Sequence, residues 1–396
     1  MSVDESKSAP PPRVLTPRRA EPASSVRPTR AEIGLAHLRH NLLALARTAG
    51  VPIWSVLKAD AYGHGAKAVA RTLERAGSAG TCVALIEEGI ELREAGLMLP
   101  ILVMGGHYGH AWGELIRHRL TPVISRRDQL EGLAEEVRFS GGPPLPVHIK
   151  IDTGMARLGV PLAQLPAFAS TLASLPEVAL DGVMTHFASA ESDAASVAEQ
   201  LQRFERGCDV LRAHGLRWER RHAANTAATI AHPSTRFDLV RPGIGLFGMA
   251  PGLAEHPRLE PVMRVRTEVV ALRSLEPGQS VGYGAKWTTA RQSQIATIPM
   301  GYGDGLSRAL SNRGHVLVRG KRVPIVGAVS MDMTSVDVTD IPGASIEDEV
   351  VVLGHQRGPL GEDTISAEEI AALSGTIAWE VLTAISRRVP RFYRER

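Results

Sequence analysis

Val51-Pro52-Ile53-Trp54-Ser55-Val56-Leu57 runs straight into Lys58-Ala59-Asp60-Ala61-Tyr62-Gly63-His64-Gly65. The first part is an apolar, β-branched run of strand character, and the lysine that ends it is followed by small residues and a tyrosine. A lysine at the end of a buried strand is placed like a Schiff-base lysine. An apolar pocket disfavours the ammonium form and leaves a free amine that can attack an aldehyde. A snorkelling lysine at a strand end has the same local sequence, so the rest of the chain must decide.

Outward from this stretch, strand candidates recur at 52–57, 81–86, 100–104, 121–124, 145–151, 179–185, 217–222 and 238–247, most of them apolar runs. The intervals 65–77, 87–96, 109–118, 126–137, 161–174 and 193–214 read as amphipathic helices, with a shorter one at 224–236. Eight strands alternating with helices predict an α/β fold, a parallel (β/α)8 TIM-type barrel. Beyond about residue 262 the runs Met263–Leu272, Gln294–Pro299, His315–Val318, Val323–Val326, Thr334–Val338 and Glu349–Leu353 are split by Gly, Pro, Asp and Asn. Helical periodicity returns only at Ala367–Leu373 and Thr376–Ser386. The expected division is a disordered Pro/Arg-rich extension at 1–27, a barrel at 28–262 and a mainly β C-terminal domain at 263–396.

Of 396 residues 44% are apolar, enough for a large core, and the net charge is +3. Lys7, Arg13, Arg18, Arg19, Arg27 and Arg30 against Asp4, Glu5 and Glu21 put that whole excess in the first thirty residues. The remainder is neutral and has no basic stripe with interleaved aromatics, which argues against nucleic acid as a partner. Cys82 and Cys208 lie far apart without partners at metal-ligand spacing, so no metal site is expected and reduced thiols fit a cytoplasmic protein. No apolar signal region and no membrane-length apolar run is present.

Barrel enzymes carry their chemistry at the C-terminal ends of the strands. Lys58 follows the first predicted strand and Arg157 the fifth, His186 closes the sixth, Asn225-Thr226 follow the seventh, and Arg241 with Gly243 sits at the eighth. These positions share one face of the barrel. Val56-Leu57-Lys58-Ala59-Asp60-Ala61-Tyr62-Gly63-His64-Gly65 resembles the cofactor-lysine signature of alanine racemases. Lys150-Ile151-Asp152-Thr153-Gly154-Met155-Ala156-Arg157-Leu158-Gly159 and Arg241-Pro242-Gly243-Ile244 are similar to two further signatures. Gly282-Tyr283-Gly284, Gly301-Tyr302-Gly303-Asp304-Gly305 and Ser330-Met331-Asp332 match three more, in order, so the resemblance covers both domains.

The resemblance implies a fold-type III enzyme, an isomerase that uses pyridoxal 5'-phosphate to interconvert L- and D-alanine for peptidoglycan. It implies a homodimer whose active site is shared across the interface. Lys58 would hold the cofactor and act as one base, and Tyr283 as the other on the opposite face of the substrate, since racemisation removes a proton from one side and delivers it to the other. An unperturbed phenol is a poor base at neutral pH, and the resemblance points to His186, bonded to Arg241, as the help it needs. Arg241 would donate to the pyridine nitrogen, which a guanidinium leaves unprotonated. Tyr62, Asn225, Thr226 and the amides of Gly243 and Ile244 would cradle the phosphate. Arg157 and the Met331 amide would hold the substrate carboxylate. Lys150, a position often carbamylated in the family, would orient Arg157, with Tyr302 and Asp332 in support. Phe247, Gly282, Gly303 and Arg387 stand where relatives commonly have Tyr, Ser, Ala and Tyr. A broad-specificity racemase, a barrel-type pyridoxal decarboxylase and a non-catalytic pyridoxal-phosphate-binding barrel are the competing readings. The carboxylate partner that decarboxylation favours on the ring nitrogen is missing, because Arg241 stands there.

Overall fold

The computed structural model describes residues 26–106 and 111–395. The predicted extension therefore lies almost entirely outside the described residues, as does part of the predicted helix 109–118. Seven parallel strands form one curled sheet in chain order: Trp54–Val56, Gly80–Val83, Ile101–Val103, Thr121–Ile124, Leu145–Asp152, Val178–Met184 and Arg220–His222. The first three are short and wholly buried, as expected of strands covered by helices on one side and filled by side chains on the other, while the last two are only partly buried at their starts.

The eighth predicted strand, 238–247, is not a strand. Residues 238–242 pass in extended form between the first and last strands and close the barrel by single bonds. The Trp54 amide donates to the Val240 carbonyl at 2.9 Å, Val56 to Pro242 at 3.0 Å and, on the other side, Arg241 to Ala224 at 2.9 Å. Pro242 offers no amide to continue the ladder, and Ile244–Phe247 turns at once into a 3-10 helix. The closing segment is thus short and sharply bent, which puts Arg241 and Gly243 at the barrel mouth.

Several elements went unforeseen, among them two at the start of the described chain and the strands Gly361–Ile365 and Arg391–Arg394. Helix Leu35–Ala49 buries one face against the barrel, and strand Arg30–Gly34 precedes it. That strand pairs antiparallel with Met263–Glu268 and parallel with Arg391–Arg394, so residues 30–34 are part of the second sheet although the division at 28 groups them with the barrel. The second domain has a seven-stranded sheet and a three-stranded one, Ala271–Leu275, Ser293–Ile298 and Thr334–Asp337, with helices Ala367–Ser374 and Ala378–Ala384. Among the described residues no helix is long and apolar enough to cross a membrane.

Directly after Lys58 the backbone does something uncommon. Ala59, Asp60, Ala61 and Tyr62 all have φ of 53° to 55°, one turn of left-handed helix built from residues that carry a Cβ. Each such residue costs about 1–2 kcal/mol, so the turn persists only because its surroundings hold it. The Gly63 amide closes on the Ala59 carbonyl at 2.9 Å, and the Asp60 carboxylate accepts from the Ala66 amide at 2.7 Å. The β domain supplies the rest. Arg391 donates to the Gly63 carbonyl at 3.0 Å, and a Cβ on Gly63 (φ +80°) would lie 2.4 Å from the Leu382 carbonyl oxygen. Gly63→Ala is therefore expected to lower stability by at least about 1–2 kcal/mol in urea unfolding, from the left-handed penalty alone. An unchanged midpoint would show that the clamp is not tight.

Candidate active site

One pocket opens at the barrel mouth. Lys58 and Tyr62 enter from the left-handed turn and His186 from the end of the sixth strand, while Arg241, Gly243 and Ile244 come from the closing segment. Asn225 and Thr226 line its far side. These eight predicted residues meet in one place.

Arg241 forms the floor, 2% exposed. Its Nε donates to Nδ1 of His222 at 2.7 Å, and Nη2 donates to the carbonyls of Thr185 at 2.8 Å and Ala223 at 3.1 Å. The expected bond to His186 is absent among the described residues, because His222, on the last strand directly beside the closing segment, already takes Nε. Beyond His222 the chain of bonds continues. His222 Nε2 meets His148 Nδ1 at 2.7 Å, and His148 Nε2 meets the Asp181 carboxylate at 2.9 Å, which also pairs with Arg220. An arginine donates only, so Nδ1 of His222 must accept. Both histidines then carry their proton on Nε2, and each donates onward toward Asp181. Burial first, then Arg241, pushes His222 well below the usual imidazole range. Burial outweighs the Asp181 contact and lowers His148 too. Burial alone would raise Asp181, yet His148 and Arg220 hold its carboxyl below the ordinary range. The third atom, Nη1 of Arg241, has among the described residues only the Met104 sulfur at 3.6 Å, a weak acceptor. It retains a donor for whatever occupies the pocket.

Lys58 is shifted toward the free amine, by burial and then by Arg157, with Glu88 opposing and Arg241 assisting. Lys150 is buried on the fifth strand; burial, Arg157 and Arg241 push it down to about 8 against the pull of Asp152. Burial and then Arg241 likewise hold the His186 imidazole far below its ordinary range, so it is neutral. Arg157 itself is exposed near the mouth, close enough to act on Lys58, Lys150 and His186. Opposite Lys58, Gly243 is a glycine of necessity, since a Cβ there would lie 2.2 Å from the Tyr62 hydroxyl. The Thr226 hydroxyl accepts from the Gly243 and Gly245 amides at 3.1 and 3.2 Å, gathering polar groups at this end. Phe247 is buried against Tyr62 and stacks on His64 with ring centroids 5.1 and 4.3 Å away.

The β-domain candidates are elsewhere in the chain. Tyr283 is 76% exposed, Met331 51% and Tyr302 43%, and none lines the Lys58 pocket. They belong to adjoining loops, since the Tyr302 and Gly303 amides donate to the Ser330 and Met331 carbonyls at 3.0 and 2.9 Å. Arg388 bridges Asp332 at 2.6 Å and the buried Asp304 at 3.3 Å. Gly303 accommodates it, because a Cβ there would meet the Arg388 guanidinium at 2.4 Å. Gly282 has φ of +74°, a conformation that strains any residue with a side chain, which accounts for glycine before Tyr283. Arg387 is exposed and does not line the pocket. Sequence reading missed His148, Asp181, His222, Met104, Glu88 and Trp379, the last reaching the pocket from the β domain. A signal existed for one of them: His148 is a polar residue inside the apolar strand run 145–151.

Fold and pocket together define the class, a two-domain barrel enzyme built around a lysine amine, a cradle of hydroxyl and amide groups and a buried arginine. Residues 33–251 match the family described as alanine racemase, N-terminal domain, and residues 262–393 match alanine racemase, C-terminal domain. An alanine racemase of Sorangium cellulosum is 57% identical over 93% of this chain and 100% of the relative. The crystal structure of alanine racemase from D-cycloserine-producing Streptomyces lavendulae superposes with a TM-score of 0.88 at 33% identity, covering 94% of this chain and 98% of that one. The Bartonella henselae enzyme, described as alanine racemase with covalently bound pyridoxal phosphate, gives 0.84 at 29% identity over 92% and 99%. The chain belongs to the alanine racemase family, whose members are pyridoxal-phosphate-dependent isomerases. The residues present suit that group: a lysine shifted toward its amine, a cradle that a Cβ at 243 would fill, and a buried arginine N–H with only sulfur as partner among the described residues.

The neutral buried histidines carry a consequence for stability. His148 and His222, with His64 pushed down to about 4 by burial, exclude protons when folded. Below about pH 6.5 the unfolded chain takes up those protons and gains on the folded one. Stability is therefore complete above that pH and is lost as the pH falls. Calorimetry is expected to show Tm dropping steeply between about pH 6.5 and 5, as stability falls by up to ~1.4 kcal/mol per histidine per pH unit. A flat profile across that range would contradict the neutral state of these histidines in the folded protein.

Proposed function

We propose that this chain interconverts L- and D-alanine with pyridoxal 5'-phosphate as cofactor, by two bases on opposite faces of the substrate, in a homodimer. The observation that carries the reading is the convergence of Lys58, Tyr62, Thr226, Arg241 and Gly243 on one pocket. When bound, the cofactor supplies an electron sink that makes the substrate Cα–H acidic. Lys58 would hold the cofactor and serve as the base on one face of the substrate. Its environment favours the free amine, the form that attaches and accepts protons. Arg241, held in register through His222, would present its Nη1 donor to the ring of the cofactor and remain charged. Tyr62 and Thr226 hydroxyls with the Ile244 amide would receive the phosphate, joined by the Gly243 amide once it turns from the Thr226 hydroxyl, and Asn225, which caps the following helix through the Ala228 amide at 2.9 Å, fixes that loop. Arg157 takes the substrate carboxylate, and Lys150, buried and near neutrality, suits the carbamate that would orient it.

Tyr283 is the second base, and Met331, with Tyr302 and Asp332 in support, completes the carboxylate site. Their exposure in a single chain favours delivery to a second subunit's barrel mouth, with His186 facing the phenol there. The product, D-alanine, would serve peptidoglycan synthesis in a bacterial cytoplasm.

Two measurements test this. Tyr283→Phe is expected to lower kcat/KM by about 10²–10⁴ while the cofactor stays bound. D-Alanine should still exchange its Cα proton with deuterated solvent through Lys58, whereas L-alanine should not; equal loss of both exchanges would refute the assignment of faces. Mixing inactive Lys58→Ala and Tyr283→Phe subunits should restore about a quarter of wild-type activity, because half the random dimers carry one intact shared site. No recovery would place both residues in the same subunit's site.

A further inference from the structure

Glu88 is the third residue of the helix Ile86–Glu94, after the second barrel strand, yet it reaches the loop after the first. One carboxylate oxygen accepts from the Ala84 amide at 2.8 Å and the Leu85 amide at 3.1 Å, the usual task of a glutamate in a first helical turn. The other accepts from the Ala59 amide at 2.6 Å. That bond has no capping role. Ala59 is the residue after Lys58 and the first of the left-handed turn, and it is exposed, so without Glu88 its amide would face water. A carboxylate holding three amides from two loops is a fixed anion. Among the described residues the charges that act on the Lys58 amine are Arg157 after the fifth strand, Arg241 on the closing segment and Glu88, with His186 after the sixth strand, Tyr62 and Glu191 around the same pocket. Of the two carboxylates, Glu88 is the one bonded to the turn that carries the lysine.

We propose that Glu88 is a positioning residue for Lys58: it pins the backbone one residue beyond the lysine and supplies the negative charge that balances Arg157 and Arg241 beside its amine. The proposal rests on Lys58 being the cofactor lysine. Glutamine fills neither part, since its NH2 would confront one of the amides and it carries no charge. Without the anion, the two guanidinium groups act unopposed and Lys58 becomes a free amine at lower pH.

The test is the rate at which pyridoxal 5'-phosphate condenses with full-length protein freed of cofactor, followed across a pH series. Borohydride trapping and peptide mapping identify the lysine modified. In wild type the adduct should map to Lys58; an adduct elsewhere overturns the underlying functional reading and this proposal with it. With Lys58 confirmed, Glu88→Gln should move the midpoint of the rate profile down by about one pH unit. Glu88→Asp, which keeps the charge, should slow the reaction while leaving the midpoint in place. A Glu88→Gln rate lowered at every pH with an unmoved midpoint would mean a merely structural role and overturn the proposal. Should Glu88→Gln fail to fold, hydrogen exchange in the wild-type protein decides: the exposed Ala59 amide should exchange slowly, and exchange at the rate of an unprotected amide would overturn it.

Discussion

A guanidinium with almost no solvent contact sits at the centre of this barrel, and much of the interior is arranged around it. A buried charge is tolerated only where hydrogen bonds replace its hydration. Arg241 has two carbonyls and an imidazole on the protein side, and behind the imidazole a second one leads to the Asp181 carboxylate. The side chain of Asp181 is 22% exposed and that of His148 not at all, so the compensating anion stands near water while the cation stands in the core. The two are joined by neutral groups of fixed tautomer, which lets the barrel hold a permanent cation at its floor without a buried counter-ion beside it. The same donors fix the direction of the remaining N–H, toward the pocket.

The second domain has a structural part in the first domain's chemistry. Lys58 leaves its strand into a left-handed turn that local preference disfavours at every residue. Glu88 holds the turn from the barrel side, while Arg391 and the Leu382 carbonyl hold it from the β domain. Tyr393 approaches Gly65 so closely that a Cβ there would be 1.9 Å from its hydroxyl. The lysine is therefore aimed by contacts from both domains, and strand Arg30–Gly34 laces the start of the chain into the second sheet.

Much of this was legible in the sequence because the signals were local. Seven of eight predicted strands form: six are short apolar runs that need no tertiary help to be recognised, and the mostly charged 217–222 takes its place from the alternation of strands and helices. The eighth failed on Pro242 and Gly243, where a functional loop replaces regular pairing. Helix Leu35–Ala49 was missed beside a composition-biased extension that masked its start. Eight site residues on the barrel came together as expected, because strand order fixes which chain ends share a face. The relay His148–His222 and the reach of Glu88 to Ala59 were illegible for a different reason. They depend on inward-facing register and on approach between loops distant in sequence, which periodicity does not encode. The bond expected between His186 and Arg241 failed on that same point, since a neighbouring strand delivered His222 first.

The account stands on Arg241 acting as a fixed, charged donor toward the pocket. The most direct measurement is the ¹⁵N chemical shift of the pyridine nitrogen in protein loaded with isotopically labelled pyridoxal 5'-phosphate. A shift characteristic of an unprotonated, hydrogen-bonded pyridine that changes on substitution of His222 by alanine is the result expected. A protonated nitrogen, or a shift indifferent to His222, would contradict it.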